Sequence, residues 1–132
     1  MSKGNGKESK VEFDNNYFKI YTDYMRLKSN NFGVKNEMLE KHSDDIRTSS
    51  EEILKVIYNI GTYIRIANSI YPVYQSELEE RRLAQEKARG LCFDLLTKYQ
   101  LIMYAFQIPD DKYTKEIKNV NPCVPCEYVI CQ

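Results

Sequence analysis

The chain has no tryptophan, one histidine, and only four prolines and four cysteines in 132 residues. Each scarcity excludes something. A single histidine, His42, removes every site built on a histidine pair and leaves no Ser-His-Asp set spelled out. There is no G-x-x-x-x-G-K-[ST] phosphate loop and no G-x-G-x-x-G fingerprint. No apolar run approaches the roughly 18 residues that a membrane span requires. Charge of one sign is also missing: Lys and Arg number 19, Asp and Glu 19, for a formal net charge of +0. Proteins that coat nucleic acid ordinarily carry excess positive charge, so any such contact must rest on a local patch or on a partner.

The ends are equally sparse. Residues 1–10 are polar, rich in Gly, Ser and Lys, and lack an apolar segment. They read as a flexible tail and not as a secretory signal, which leaves the cytoplasm as the expected location. Three of the four cysteines, Cys123, Cys126 and Cys131, crowd the last ten residues, and Cys92 stands apart. That is no distributed disulfide framework, and it suits a reducing compartment.

What is present is helical periodicity. Pro72 and Pro109 divide the middle of the chain, and Pro122 and Pro125 mark its end. Between them, apolar residues recur at three- and four-residue steps. A first helix is expected over about Val11–Lys28, with Phe13, Tyr17, Ile20, Tyr21, Tyr24 and Leu27 on one face. Asn30, Asn31 and Gly33 break it. A long second helix follows over about Val34–Ser69. Leu39, His42, Ile46, Ile53, Ile57, Ile60, Ile64 and Ala67 keep one phase through it, so Thr48–Glu52 reads as helix interior more than as a new cap. Tyr71-Pro72 stops this helix. Ser76 with Glu79 gives an S-x-x-E cap for a third helix. Leu78, Gln85, Ala88, Cys92, Leu95, Tyr99, Ile102 and Phe106 mark its buried stripe. A short fourth helix is expected over about Asp111–Val120, capped by Asp110 or Asp111. The expectation is an all-α, antiparallel (up-down) four-helix bundle with a long central helical hairpin, spanning 11–120, with a Cys- and Pro-containing tail over 121–132.

Candidate chemistry is thin. His42 reads as a structural histidine on an apolar stripe. The tail C-x-x-C, Cys123 and Cys126, has the spacing to grip zinc, with Cys131 as a third ligand and Cys92 or His42 as a fourth. It also has the spacing for thiol exchange. The bland reading is an incidental tail, so no metal and no cofactor are assigned. The acidic pairs, such as Asp44-Asp45 and Glu51-Glu52, point to different sides of a helix and do not bracket one substrate. No catalytic residue, and no small-molecule substrate, is implied.

Basic residues offer one route to nucleic acid. Arg81 and Arg82 lie early in the third helix, interleaved with Glu77, Glu79, Glu80 and Glu86, which favours mutual salt bridging. Arg65, Lys55 and Arg47 fall on the polar side of the second helix, and with Lys3, Lys7 and Lys10 they are expected to form a modest patch. Tyrosine is the enriched residue, at eleven. Tyr58, Tyr63, Tyr71 and Tyr74 gather around the expected turn, with Arg65 nearby. Tyrosine and arginine are favoured at interface centres.

Three segments carry a resemblance: Asn59–Ala67 (N-I-G-T-Y-I-R-I-A), Glu79–Ala88 (E-E-R-R-L-A-Q-E-K-A) and Cys92–Leu96 (C-F-D-L-L). The pattern resembles the four-helix-bundle accessory variability proteins of diversity-generating retroelements, whose fold is shared with ribosomal RNA intervening-sequence bundle proteins. It covers roughly residues 36–120. The resemblance implies a non-enzymatic homo-oligomer, typically a five-fold ring, that binds a reverse transcriptase and its template RNA in mutagenic cDNA synthesis. Arg65, Arg81 and Arg82 are the positions that carry over as motif matches. The chain departs from the pattern in being neutral where such proteins are basic, and in its shortened last helix. The alternative expectation is a protein–protein interaction or regulatory bundle that binds no nucleic acid.

Overall fold

The computed structural model describes residues 2–120, with side chains from residue 16 onward except at position 110. Among the described residues the chain is all helix and turn, without a strand. The four helices are α1 (Ser2–Ser29), α2 (Asn36–Ser69), α3 (Gln75–Ala105) and α4 (Thr114–Val120). Short 3₁₀ turns cover Asn31–Gly33 and Asp110–Tyr113. None of the helices is long and apolar enough to cross a membrane. The helix backbone of α1 reaches back to Ser2, ahead of the Val11 start expected from the apolar stripe. A residue added to a formed helix needs no new nucleus, and no apolar stripe is there to announce it.

The expected stripes form the core. Ile20, Tyr24 and Leu27 from α1, Ile53, Ile57, Ile60 and Ile64 from α2, and Cys92, Leu95, Tyr99 and Ile102 from α3 are all buried. The most extensive packing is between α2 and α3. Three pairs tie them: His42 with Phe106, Glu52 with Lys98, and Tyr63 with Lys87. Residue numbers rise along α2 as they fall along α3. Leu78, expected in the buried stripe of α3, lies in the exposed first turn, outside that packing.

α1 lies on α2 through two tyrosines. The Tyr17 hydroxyl donates to the Ile57 carbonyl at 3.0 Å. The Tyr24 hydroxyl donates to the Ser50 carbonyl at 2.9 Å and sits 2.7 Å from its Oγ. Ser50 is buried in unbroken helix, so Thr48–Glu52 is interior and not a cap. Gly61 has its own reason: a Cβ there would run into the Tyr17 ring and hydroxyl. The one break in α2 is at His42, with φ −127° and ψ 29°.

The turn from α1 to α2 places Asn31, Phe32 and Gly33 at positive φ. For Phe32 that conformation costs about 1–2 kcal/mol. Burial of its ring beside Tyr24 offsets the cost, by about 1.5–3 kcal/mol for a fully buried side chain. The Phe32 carbonyl accepts the Tyr113 hydroxyl at 2.6 Å, which ties this turn to the approach to α4. The side chain of Asp110, one of the two expected caps, lies outside the described residues. Pro109 stands at the start of the 3₁₀ turn, and Thr114 donates to the Asp111 carbonyl. α4 is fastened by Asn119, whose Nδ2 donates to Asp23 Oδ2 at 2.7 Å.

Two predictions follow from this packing. Gly61→Ala forces a methyl into the Tyr17 contact and is expected to lower unfolding free energy by about 1–3 kcal/mol in urea titration. A neutral result would show that Tyr17 moves aside freely. The second concerns pH. Burial pushes the Tyr99 phenol, and the Tyr113 phenol, well above the usual range, with the Asp23 and Glu116 carboxylates adding to it at Tyr99 and Glu116 at Tyr113. The folded state therefore holds these protons more tightly than the unfolded chain does. Their contribution to stability is complete below about pH 10, the unfolded phenol pKa, and is lost as pH rises beyond it. Spectrophotometric titration of the native protein should leave Tyr99 and Tyr113 un-ionised after the exposed tyrosines have titrated. Ionisation of all eleven tyrosines with helical circular dichroism intact would contradict this.

Candidate protein and nucleic-acid interface

The turn between α2 and α3, residues 70–74, gathers most of the residues singled out from the sequence. Tyr71-Pro72 ends α2, and Ile70 caps it through its N–H to the Ala67 carbonyl at 3.4 Å. The turn is then fixed by one carboxylate. Glu77 Oε1 accepts from the backbone N–H of Tyr74 at 2.9 Å and of Val73 at 3.2 Å. This is the reciprocal half of a capping box, two residues earlier than the expected Ser76–Glu79 pair. The chain reaches helical geometry at Gln75, before Ser76 could act as the cap.

With the backbone so held, the side chains point outward. Tyr71 is 82% exposed and Tyr74 71%, and Val73 and Leu78 are exposed beside them. Arg65, one turn before the end of α2, and Arg82, in the second turn of α3, are exposed at this same end. Arg81 turns inward: it is half-buried, and its Nε is buried without a hydrogen-bond partner. Tyr63 is also half-buried, with the Lys87 ammonium 5.4 Å from its ring centroid, so it belongs to the α2–α3 contact more than to the outer surface.

The remaining basic residues do not join them. Lys55 and Arg47 are exposed on α2, but 10 and 18 residues before Arg65. At 1.5 Å per residue they stand about 15 Å and about 27 Å away along the helix. Arg47 also pairs with Asp44 at 3.5 Å. The single modest patch expected from the sequence is thus a stretched array with its aromatic end at the turn. Tyr58, exposed between Lys55 and Arg65, is an aromatic contribution along that array.

A second concavity lies at the other end of the α2–α3 pair. Ile53, Ile102 and Phe106 floor it, and His42, Asp45, Glu52 and Lys98 edge it. His42 Nδ1 lies 3.3 Å from Asp45 and Lys98 3.9 Å from Glu52, so the charges at its rim pair with one another. His42 is half-buried with its ring against Phe106, a structural placement. Among the described residues no three His, Cys, Asp or Glu side chains come together as metal ligands. Cys92 is buried in the core, and Cys123, Cys126 and Cys131 lie outside the described residues.

No family model, curated protein or solved structure matches the chain.

Glu77 offers the direct test of how the turn is built. Glu77→Ala removes the acceptor of two backbone N–H groups and should cost about 1 kcal/mol. Amide exchange at Val73 and Tyr74 should quicken more than at Ile57 in the core. Uniform exchange across all three sites would show that the carboxylate does not hold the turn.

Proposed function

We propose that the chain is a non-enzymatic accessory bundle of the cytoplasm. Its α2–α3 turn end binds a reverse transcriptase and its template RNA or cDNA, as in a diversity-generating retroelement. The finer architecture that goes with this reading is an antiparallel, up-down four-helix bundle that assembles with copies of itself, a ring of five being the form the resemblance implies. The opposed numbering of the α2–α3 pairs supports the up-down arrangement.

The observation that carries the functional reading is the exposure of Tyr71 and Tyr74 at a rigid turn flanked by Arg65 and Arg82. Exposed rings beside guanidinium groups suit unpaired bases and phosphates. Of the motif positions of the resemblance, Arg65 and Arg82 are exposed at this end and Arg81 turns inward, while Lys55 and Arg47 lie further along α2 with the exposed Glu51 between them.

One observation favours the alternative, a protein-binding or regulatory bundle without nucleic acid. The chain is neutral overall, and Val73 and Leu78 add aliphatic surface at the same turn.

Salt separates the two readings. Fluorescence anisotropy with a structured RNA should show binding that weakens steeply between low and physiological salt. Arg65→Glu combined with Tyr71→Ala should weaken it about tenfold or more and flatten the salt slope by about one. Absence of RNA retention even at low salt, with protein partners still captured through the turn, would replace this reading with the protein-only one.

A further inference from the structure

The helix α3 is apolar on two sides. Its inner side supplies Ala88, Cys92, Leu95, Tyr99 and Ile102 to the core. Its outer side carries Leu83, Phe93, Leu101 and Tyr104, exposed by 58%, 48%, 59% and 87%. At 100° per residue these four fall within about 80° of arc, opposite the core side. Gly90, Thr97 and Gln100 complete this face, which also carries Glu86 between Leu83 and Gly90 and has the Arg89 guanidinium 5.5 Å from the Phe93 ring. The four exposed side chains present on the order of 500 Å², the size at which an apolar patch marks an interaction surface.

Gly90 is the second, independent sign. It lies in the middle of a 31-residue helix, where glycine weakens the helix relative to alanine. Nothing within the chain requires it, because a Cβ at this position would meet no atom within 4 Å. Gly61 shows the contrast, since there a Cβ would strike Tyr17. A missing side chain with open space before it, one turn from Phe93, is the geometry of a close helix crossing with something outside the chain.

The arrangement also indicates what that something is. Phe93 stands at the middle of the face, ten residues after Leu83 and eleven before Tyr104. If a copy of α3 is laid against α3 in the opposite direction, Phe93 meets Phe93. Leu83 then comes within one residue of the level of Tyr104, and Gly90 within one residue of Thr97, the two small residues on either side of the centre. Glu86 meets the neutral Gln100, so no like charges oppose each other along this line. A face that complements its own reverse is what a two-fold contact requires. Two copies would bury on the order of 1,000 Å², the lower bound for a specific interface.

We propose that α3 of one copy pairs with α3 of a second copy, antiparallel and two-fold, across Gly90 and Phe93. This deepens the reading above, resting on it only for the expectation that copies assemble. It names the face and a symmetry different from a ring.

The full-length chain tests it. Light scattering and native mass spectrometry should give a dimer, or an even-numbered assembly built from dimers, at high-micromolar concentration. Gly90→Gln replaces glycine by a better helix former, so the folded monomer should melt higher while dimerisation weakens by about tenfold or more. Leu101→Glu should weaken it similarly with helicity unchanged. Oxidation of Phe93→Cys should yield a peptide cross-linked from position 93 to position 93 of the second copy. A monomer at that concentration, an assembly indifferent to both variants, or a link from position 93 to another surface would each overturn the proposal. RNA retention by Gly90→Gln, measured alongside, keeps the two readings apart. A dimer that never holds RNA defeats only the RNA reading, and a monomer that holds RNA defeats this pairing and the assembly of copies but leaves the RNA reading standing.

Discussion

The structure depends on burying one stripe of isoleucines, Ile46, Ile53, Ile57, Ile60 and Ile64 along α2. A single helix cannot hide such a stripe, and most helical stability in water comes from covering it. Two helices share the task from different sides. The α1 side is registered by tyrosine hydroxyls reaching α2 carbonyls at Ile57 and Ser50. The α3 side is registered by pairs that also satisfy charge or ring edges, such as Glu52 with Lys98 and Tyr63 with Lys87. Gly61 follows from this constraint, because the stripe can approach α1 only where no side chain stands in the way.

The two ends of the molecule are finished differently. At one end a polar cluster closes the core: Asp23 accepts from Asn119 and from Arg26, and Tyr113 reaches the Phe32 carbonyl. The hydroxyl of Tyr99 and one carboxylate oxygen of Glu116 are buried there without hydrogen-bond partners. Such atoms cost folding free energy, because a buried polar group without a partner stays uncompensated. At the α2–α3 turn the backbone polar groups are satisfied by Glu77, and the aromatic side chains are left outside. The first end maintains the fold. The second, with its backbone held by Glu77, leaves its rings exposed.

The helices and the core positions of the long stripes are legible in the sequence, since the phase from Leu39 to Ala67 and from Ala88 to Phe106 is helical, whereas Phe32, Ile108 and Tyr113, buried from the turns, carry no periodic signal. The cap of α3 was misplaced by two residues, from Ser76–Glu79 to Tyr74–Glu77, because both pairs have similar spacing and only the turn geometry chooses between them. The kink at His42 left no mark, as a histidine fits the stripe on either side of it. Arg81 and Arg82 were read together, but adjacent residues on a helix point about 100° apart, and one turned inward. The basic array failed as a patch for a related reason: Arg47 and Arg65 share a side of α2 yet stand about 27 Å apart along it.

The outer side of α3 escaped notice because two apolar stripes on opposite sides of one helix blur each other. Read along the chain, Leu83, Phe93, Leu101 and Tyr104 merge with the core positions between them. Only burial separates the two sets, placing Leu95 and Tyr99 inside and Leu101 and Tyr104 outside. A helix that is apolar all round is ordinarily covered all round. Here α2 covers one side, and among the described residues nothing covers the other. Charge separates the two surfaces less than apolarity does: Lys55, Tyr58 and Arg65 on α2 offer one ring among exposed polar groups, whereas α3 from Gly90 to Tyr104 offers mainly apolar surface, broken only where Arg89 lies over Phe93.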